Sequence, residues 1–355
     1  MSERPKLFKI ALISALVAVV TLLHYVVIGE HLGLHILHRE LYFIPIILAS
    51  YWFGLKLGLA TSVAVTLVYV PHVFIYDDAH GTLMAVSSHI LVFNLVALVL
   101  GWLMDRRTSL KKAMGQAMDV QQNLLPKDAP KVEGLDIAGK SIYCDETGGD
   151  YYDFLEMSEL GQGKISVVVG DVSDHGIPAA LLMTTARAFL RQRASMSGSI
   201  ANIVSDVNRQ LSHDVGETGR FMTLFYGEID TQNKSLSWVN AGHDPGIIYD
   251  SRTGFFDELA GHGLALGVFE DCEYKESQRQ ITPGQIIAIA TDGIWEARNG
   301  RGEMFGKNRL KEIIRAHATE PAKQILDMVI KESQQFRNPL SMEDDFTLVV
   351  VKVEQ

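Results

Sequence analysis

The stretch Ile165-Ser166-Val167-Val168-Val169-Gly170-Asp171 decides the reading of the fold: a run apolar enough for a core strand ends on an aspartate. The pattern recurs. Ile286-Ile287-Ala288-Ile289-Ala290-Thr291 ends on Asp292, and Asp344-Asp345 leads into Phe346-Thr347-Leu348-Val349-Val350-Val351. Asp150 follows Gly148-Gly149 and precedes Tyr151-Tyr152. One aspartate at a strand end is commonly a turn residue or a helix cap. Several brought together repel one another and rise in pKa unless a cation neutralises them. Clustered oxygen ligands select hard divalent ions, Mg2+ or Mn2+. Spacing leaves both readings open.

Working outward, residues 131–355 mix strands and helices. Strand-like runs are Gly134–Cys144, Tyr151–Met157, Lys164–Val172, Phe221–Ile229, Ser235–Asn240, Gly246–Tyr249, Gln285–Thr291 and Phe346–Val353. Helix-like runs are Ile177–Ala194, Ser199–Val215, Lys307–His317 and Ala322–Phe336. Neighbouring strands are joined by short turns without regular β-α alternation, which predicts an α+β fold with antiparallel sheets packed on helices.

The N-terminal part is of another kind. Of 355 residues with net charge −10, residues 1–103 carry five basic and five acidic side chains, so the whole −10 lies beyond them. Ile10–Gly29, Leu57–Tyr76 and Ala79–Met104 are charge-free runs of 20, 20 and 26 residues. About 20 apolar residues cross a bilayer core about 30 Å thick. A weaker run, Leu41–Leu55, contains Pro45. Arg4, Lys6 and Lys9 precede the first run, and Arg106, Arg107, Lys111 and Lys112 follow the last. Positive residues concentrate on the cytoplasmic side, so both ends point to the cytoplasm and to an even number of crossings. The expectation is a four-span bundle, near 7–29, 37–55, 57–76 and 83–103, in a bacterial inner membrane. Tyr42, Phe43, Tyr51 and Trp52 fall near its interfaces. The competing reading is a re-entrant second segment and three crossings. Seven histidines lie here, His24, His31, His35, His38, His72, His80 and His89. They suit a proton or metal sensor, or plain interfacial positions in a bundle.

Residues 104–130 read as a helical connector. Leu103, Leu110, Met114, Ala117, Gln121 and Leu124 alternate at spacings of three and four with Arg107 in one slot, an imperfect heptad that two copies could share as a coiled-coil homodimer. One helix lying on its own domain fits equally. Pro126 and Pro130 end it. Cys144 and Cys272 are too few for a disulfide framework. The acidic body without a basic stripe argues against nucleic acid as a partner.

Motifs in order resemble the SpoIIE-type branch of the metal-dependent protein serine/threonine phosphatases, the PPM class. They are Leu124-Leu125-Pro126, then Gly148-Gly149-Asp150-Tyr151-Tyr152-Asp153-Phe154, then Val169-Gly170-Asp171-Val172-Ser173-Asp174-His175-Gly176 with Ala179-Ala180. Asn240-Ala241-Gly242-His243, Leu266-Gly267, Thr291-Asp292-Gly293-Ile294-Trp295-Glu296-Ala297 and Asp344-Asp345-Phe346-Thr347-Leu348 follow. Each is weak alone; the succession over about 120–353 is specific.

The resemblance implies a sandwich of two antiparallel sheets between helices, with two divalent ions, Mn2+ or Mg2+, at one edge. It implies that Asp171 bridges both ions, that the Val172 carbonyl ligates one, and that Asp292 and Asp344 complete the set with Asp150 nearby. Asp344, three residues before Thr347, is preferred to Asp345, which takes a place often held by Asn. Asp153, Asp174, Gly293 and Asp345 are implied as possible outer neighbours. Asp174 stands where many members have glycine. The arginine that grips phosphate in many eukaryotic relatives has no counterpart; Asp145 stands five residues before Asp150. The chemistry implied is in-line attack on phosphorus by metal-activated water, with Asp171 and Asp292 central. His175 and His243, in glycine-flanked turns, read as packing residues more than general acids. The implied substrate is a phosphoprotein, such as a phosphorylated anti-sigma-factor antagonist in bacterial partner switching. A silent receptor retaining the fold is the alternative, against which the intact Asp171, Asp292 and Asp344 count. A sensor kinase would need a phosphoacceptor-histidine helix and an ATP-binding glycine region; neither stands in the sequence.

Overall fold

The computed structural model describes residues 3–26, 39–76, 82–145, 147–155 and 163–354. His31, His35, His38, His80 and Met157 lie outside the described residues. The chain divides into two compact units, Met1–Ala113 and Met114–Gln355, so the division falls inside the expected connector.

The first unit is helical: α1 Glu3–Val26, α2 Phe43–Tyr76, and the first part of α3 Thr82–Gln122. Three helices among the described residues are long and apolar enough to cross a membrane, Pro5–Tyr25, Phe43–Pro71 and Val86–Gln122. The expected four spans are therefore corrected to three. The reason lies in α2, which breaks at Gly54 (φ 74°, ψ −158°), a conformation that favours glycine. A continuous helix would separate Tyr42 from Tyr69 by about 40 Å, yet their ring centroids are 6.4 Å apart. The stretch is folded back on itself. Its second arm, Leu55–Tyr76, is about 33 Å long, whereas Phe43–Phe53 reaches only about 16 Å and cannot cross alone. Asp105 on α3 accepts the Leu55 N–H at 3.1 Å and caps the second arm.

Tyr42, fully buried, packs with Val20, Ile46, Val65, Tyr69 and Phe93, so it lies inside the bundle and not in an aromatic belt. Tyr51 is exposed, and Lys9 lies over the Trp52 ring at 5.2 Å. His24 is buried among Tyr25, Tyr42 and Tyr69.

The second unit is an α-β-β-α sandwich. One sheet runs β1-β10-β9-β6-β7, the other β2-β3-β4-β5-β8, with all paired neighbours antiparallel. The strands are β1 Leu135–Ile142, β2 Tyr151–Leu155, β3 Lys164–Val172, β4 Met222–Asp230, β5 Ser235–Ala241, β6 Gly246–Asp250, β7 Phe255–Leu259, β8 Ser277–Gln280, β9 Gln285–Ala290 and β10 Phe346–Val353. Helices α4 Ile177–Ala194 and α5 Ile200–Val215 cover the second sheet; α6 Lys307–Ala316 and α7 Ala322–Arg337 cover the first.

Alternate side chains of a strand point to opposite faces. On β3, Ile165, Val167 and Val169 enter the inter-sheet core, while Val168 and Val172 meet α4 and α5. On β10, Val349 and Val351 go inward and Leu348 and Val350 meet α6 and α7. With both faces covered, these strands read as unbroken apolar runs. Strands β7 and β8 escape the sequence reading because they are edge strands: Phe255–Leu259 is mostly exposed, and Ser277-Gln278-Arg279-Gln280 has no apolar residue.

Candidate active site

Pairing places the aspartates at one edge of the sandwich. In β2/β3, Tyr151 opposes Gly170, so Asp150 and Asp171 lie at the same end. In β9/β10, Leu348 opposes Ala290, so Asp292 and the Asp344-Asp345 pair lie at one end of the other sheet. Hydrogen bonds join the two sheets there. Thr291 Oγ1 donates to Asp150 Oδ2 at 2.8 Å, and the Gly149 and Asp150 N–H groups donate to Asp345 Oδ2 at 2.8 and 3.4 Å.

The electrostatics follow from burial and crowding. Asp171 is pushed up to about 8, chiefly by burial and then by Asp292, Asp344 and Asp345. Asp292 is pushed up to about 6 by burial, then by Asp344, Glu296 and Asp244. Asp150, fully buried beside Asp171 and Asp345, is raised well above the usual carboxylate range. These carboxyls cannot all ionise together without a compensating cation. Among the described residues no three of His, Cys, Asp or Glu stand close enough to hold a metal ion; the aspartates share one edge of the sandwich without forming a closed cage. Their donor set, all oxygen, fits hard divalent ions.

The two members of the Asp344-Asp345 pair differ. Asp345 is buried, and both its oxygens take backbone N–H groups from Cys144, Gly149 and Asp150. It anchors the 144–150 loop. Asp344 is exposed and among the described residues accepts only the Asp345 N–H, at 2.8 Å, so its carboxylate remains available to a ligand. Glycine is required beside both pairs. A Cβ on Gly293 would stand 1.9 Å from the Asp345 carbonyl oxygen, and one on Gly149 would stand 2.8 Å from that of Val172. The loop thus approaches the Val172 carbonyl closely.

Asp153 is not with this group. Its carboxylate is fully buried toward α4, gripped by Arg191 through Nε and Nη2 at 2.7 Å each, with the Tyr151 hydroxyl at 2.8 Å. It ties β2 to α4. Asp174 has φ 68°, a left-handed conformation that explains why glycine serves at this position and that Asp tolerates. Its exposed carboxylate lies 3.7 Å from Arg220. His243 is buried, depressed to about 4 by desolvation, with Nδ1 2.8 Å from Thr223 Oγ1; it is a neutral packing group. His175 is exposed and contacts Asp145 at 2.9 Å.

Gln121 was legible only as a heptad position. In the structure it is buried, donating to the Gly148 carbonyl at 2.6 Å and accepting the Gly148 N–H at 3.2 Å. It therefore clamps the loop bearing Asp150 and is unavailable to a coiled-coil seam.

Two antiparallel sheets between helices make a PP2C-like fold. A profile of the Stage II sporulation protein E (SpoIIE) family matches residues 161–354. The chain is 30% identical over 247 residues to the phosphoserine phosphatase RsbU of Bacillus subtilis, covering 68% of this chain and 70% of that protein. It is 30% identical to protein IcfG of Synechocystis over 65% of this chain and 40% of the relative. The SiaA-PP2C domain of Pseudomonas aeruginosa superposes with TM-score 0.61 at 23% identity, covering 70% of this chain and 98% of the domain. The phosphatase domain of SpoIIE from Bacillus subtilis, solved with a fragment of its regulatory domain, gives 0.54 at 19%, covering 63% and 64%. The chain belongs to the SpoIIE family, whose members depend on Mg2+ or Mn2+, and is a protein serine/threonine phosphatase.

Proposed function

We propose that the chain is a membrane-anchored phosphoserine/phosphothreonine phosphatase of bacterial signalling. The observation that carries this reading is the approach of Asp150 and Asp171 from one sheet to Asp292 and Asp344 from the other, where burial first and the neighbouring carboxylates second raise Asp150, Asp171 and Asp292. Asp171, with Asp150, Asp292, Asp344 and the Val172 carbonyl, would hold the divalent ions. Bound Mn2+ or Mg2+ supplies an activated water nucleophile near neutral pH and charge stabilisation on the phosphoryl oxygens. The chain's own residues do the positioning. Thr291 orients Asp150, Asp345 fixes the 144–150 loop, and Gln121 holds Gly148.

The substrate is a phosphoprotein, and similarity to RsbU favours a phosphorylated anti-sigma-factor antagonist. Apolar α1–α3 anchor the chain, and Arg106, Arg107, Lys111 and Lys112 favour a cytoplasmic catalytic unit. With three crossings the N-terminus lies on the opposite side, against the charge of Arg4, Lys6 and Lys9; reporter fusions at each end decide this. Exposed Leu103 and Leu110 support pairing of two connectors in a homodimer. Phosphate release from a phosphoserine protein by the full chain, with and without Mn2+, tests the function. Metal-independent release, or full activity in Asp171→Asn, refutes it.

A further inference from the structure

Beside the acidic edge lies a pocket of about 180 Å3 whose lining includes Gly293, Glu296, Arg298, Arg337, Glu343 and Asp344. Arg337, the last residue of α7, is the only buried one of these, 8% exposed. A guanidinium cannot discharge itself by losing a proton, so its burial calls for a counter-charge. Among the described residues none is supplied: Arg337 makes no ion pair, and its Nε has no hydrogen-bond partner. Burial alone acts on it, with no carboxylate offsetting the effect. Glu296, Glu343 and Asp344 line the same pocket yet stay at the exposed rim. Arg298, also exposed, is engaged with the Gly302 carbonyl at 3.2 Å. The C-terminal dipole of α7 favours a cation, but by little compared with an uncompensated buried charge.

We propose that this pocket is a substrate subsite in which Arg337 receives an acidic side chain flanking the phosphoserine of the protein substrate. The inference rests on the phosphatase reading, because Gly293 and Asp344 belong to both the pocket and the acidic edge. The pocket's size suits one side chain. Its rim of carboxylates disfavours an extended polyanion, while a neutral or cationic occupant leaves Arg337 uncompensated. The guanidinium fork pairs with a carboxylate through two hydrogen bonds. Binding of this kind, equal in ground and transition states, acts on KM and not on kcat.

The test uses the full chain in detergent with Mn2+. The probes are alanine-based phosphoserine peptides, each with a single glutamate at one position from three before to three after the phosphoserine, plus p-nitrophenyl phosphate. Wild type should prefer one glutamate position over the all-alanine peptide by about tenfold or more in kcat/KM, through KM. Arg337→Met should abolish that preference and leave p-nitrophenyl phosphate turnover within about twofold. Arg337→Lys should restore part of it. Fluorescence anisotropy with the same peptides reads the preference without turnover. A wild type with no positional preference overturns the proposal. So does an equal loss by Arg337→Met on every substrate with rescue by Arg337→Lys absent, which marks a structural role. Wild type inert toward all substrates refutes the phosphatase reading instead, and anisotropy then decides on Arg337 separately.

Discussion

Removing divalent metal should make the catalytic unit less stable as pH rises from 6.5 to 8. The perturbation is chelation of a fragment spanning residues 114–355, which carries its own cores. Asp171 is raised from 3.8 to about 8 in the folded chain. A raised carboxyl keeps its proton in the folded state where the unfolded chain has lost it, so its contribution is present at low pH and disappears as pH climbs through the folded value. Asp292, at about 6, acts the same way over roughly 4 to 6. His243, depressed to about 4, acts oppositely over about 4 to 6.5, where its folded form binds fewer protons. These two largely cancel, so above 6.5 the fall comes from Asp171, with Asp150 and Asp345, also raised, acting in the same direction. One pKa unit is about 1.4 kcal/mol, so the Asp171 contribution alone falls by ~2 kcal/mol across this window. With a urea slope of about 2 kcal/mol/M, the midpoint should drop by ~1 M. Trp238 and Trp295, both buried, report unfolding by fluorescence. Mn2+ should reverse the trend, and Asp171→Asn should flatten it. A midpoint that is level or rises between pH 6.5 and 8 in chelator refutes the crowded-carboxylate account.

Further outcomes follow from single contacts. Arg191→Ala leaves the buried Asp153 with Arg187 at 3.8 Å as its cation and with the Tyr151 hydroxyl and Phe154 N–H as donors; it should cost ~2 kcal/mol in urea unfolding, held down by the partial exposure of Arg191, with Mn2+ affinity unchanged. Gly293→Ala drives a methyl against the Asp345 carbonyl and should cost about 2 kcal/mol or more while lowering turnover, read by thermal melts and phosphate release. Gln121→Ala removes both hydrogen bonds to Gly148; a loss of about 1–3 kcal/mol and weaker Mn2+ binding are expected, the latter read by calorimetry.

The catalytic fold was legible where strands are buried on both faces. The continuous apolar runs of β3 and β10 matched their observed limits at both ends, as did α4. Strands β7 and β8 were not, because an edge strand needs no apolar pattern when one neighbour supplies its pairing. The aspartates were readable because each interrupts an apolar run at its end. Asp153 carried the same motif signal as Asp150 but three residues on, where strand alternation turns it to the helix side and Arg191. Arg337 and Gln121 left no local mark: one looks like the end of an amphipathic helix, the other like a heptad slot, and both acquire their roles from distant loops. The reversal between the second and third expected spans falls where the sequence placed it, at Gly54, but the second span was misjudged in length: hydropathy extends it back to residue 37, whereas the helical arm before the break begins only at Phe43.

The most direct test of the central claim is calorimetric titration of Mn2+ into the full chain at pH 8, paired with phosphate release from a phosphoserine protein. Two ions per chain are predicted, with release rising as they bind, and both binding and release lost in Asp171→Asn. Undiminished Mn2+ binding in that variant, or release that persists in chelator, would contradict the account.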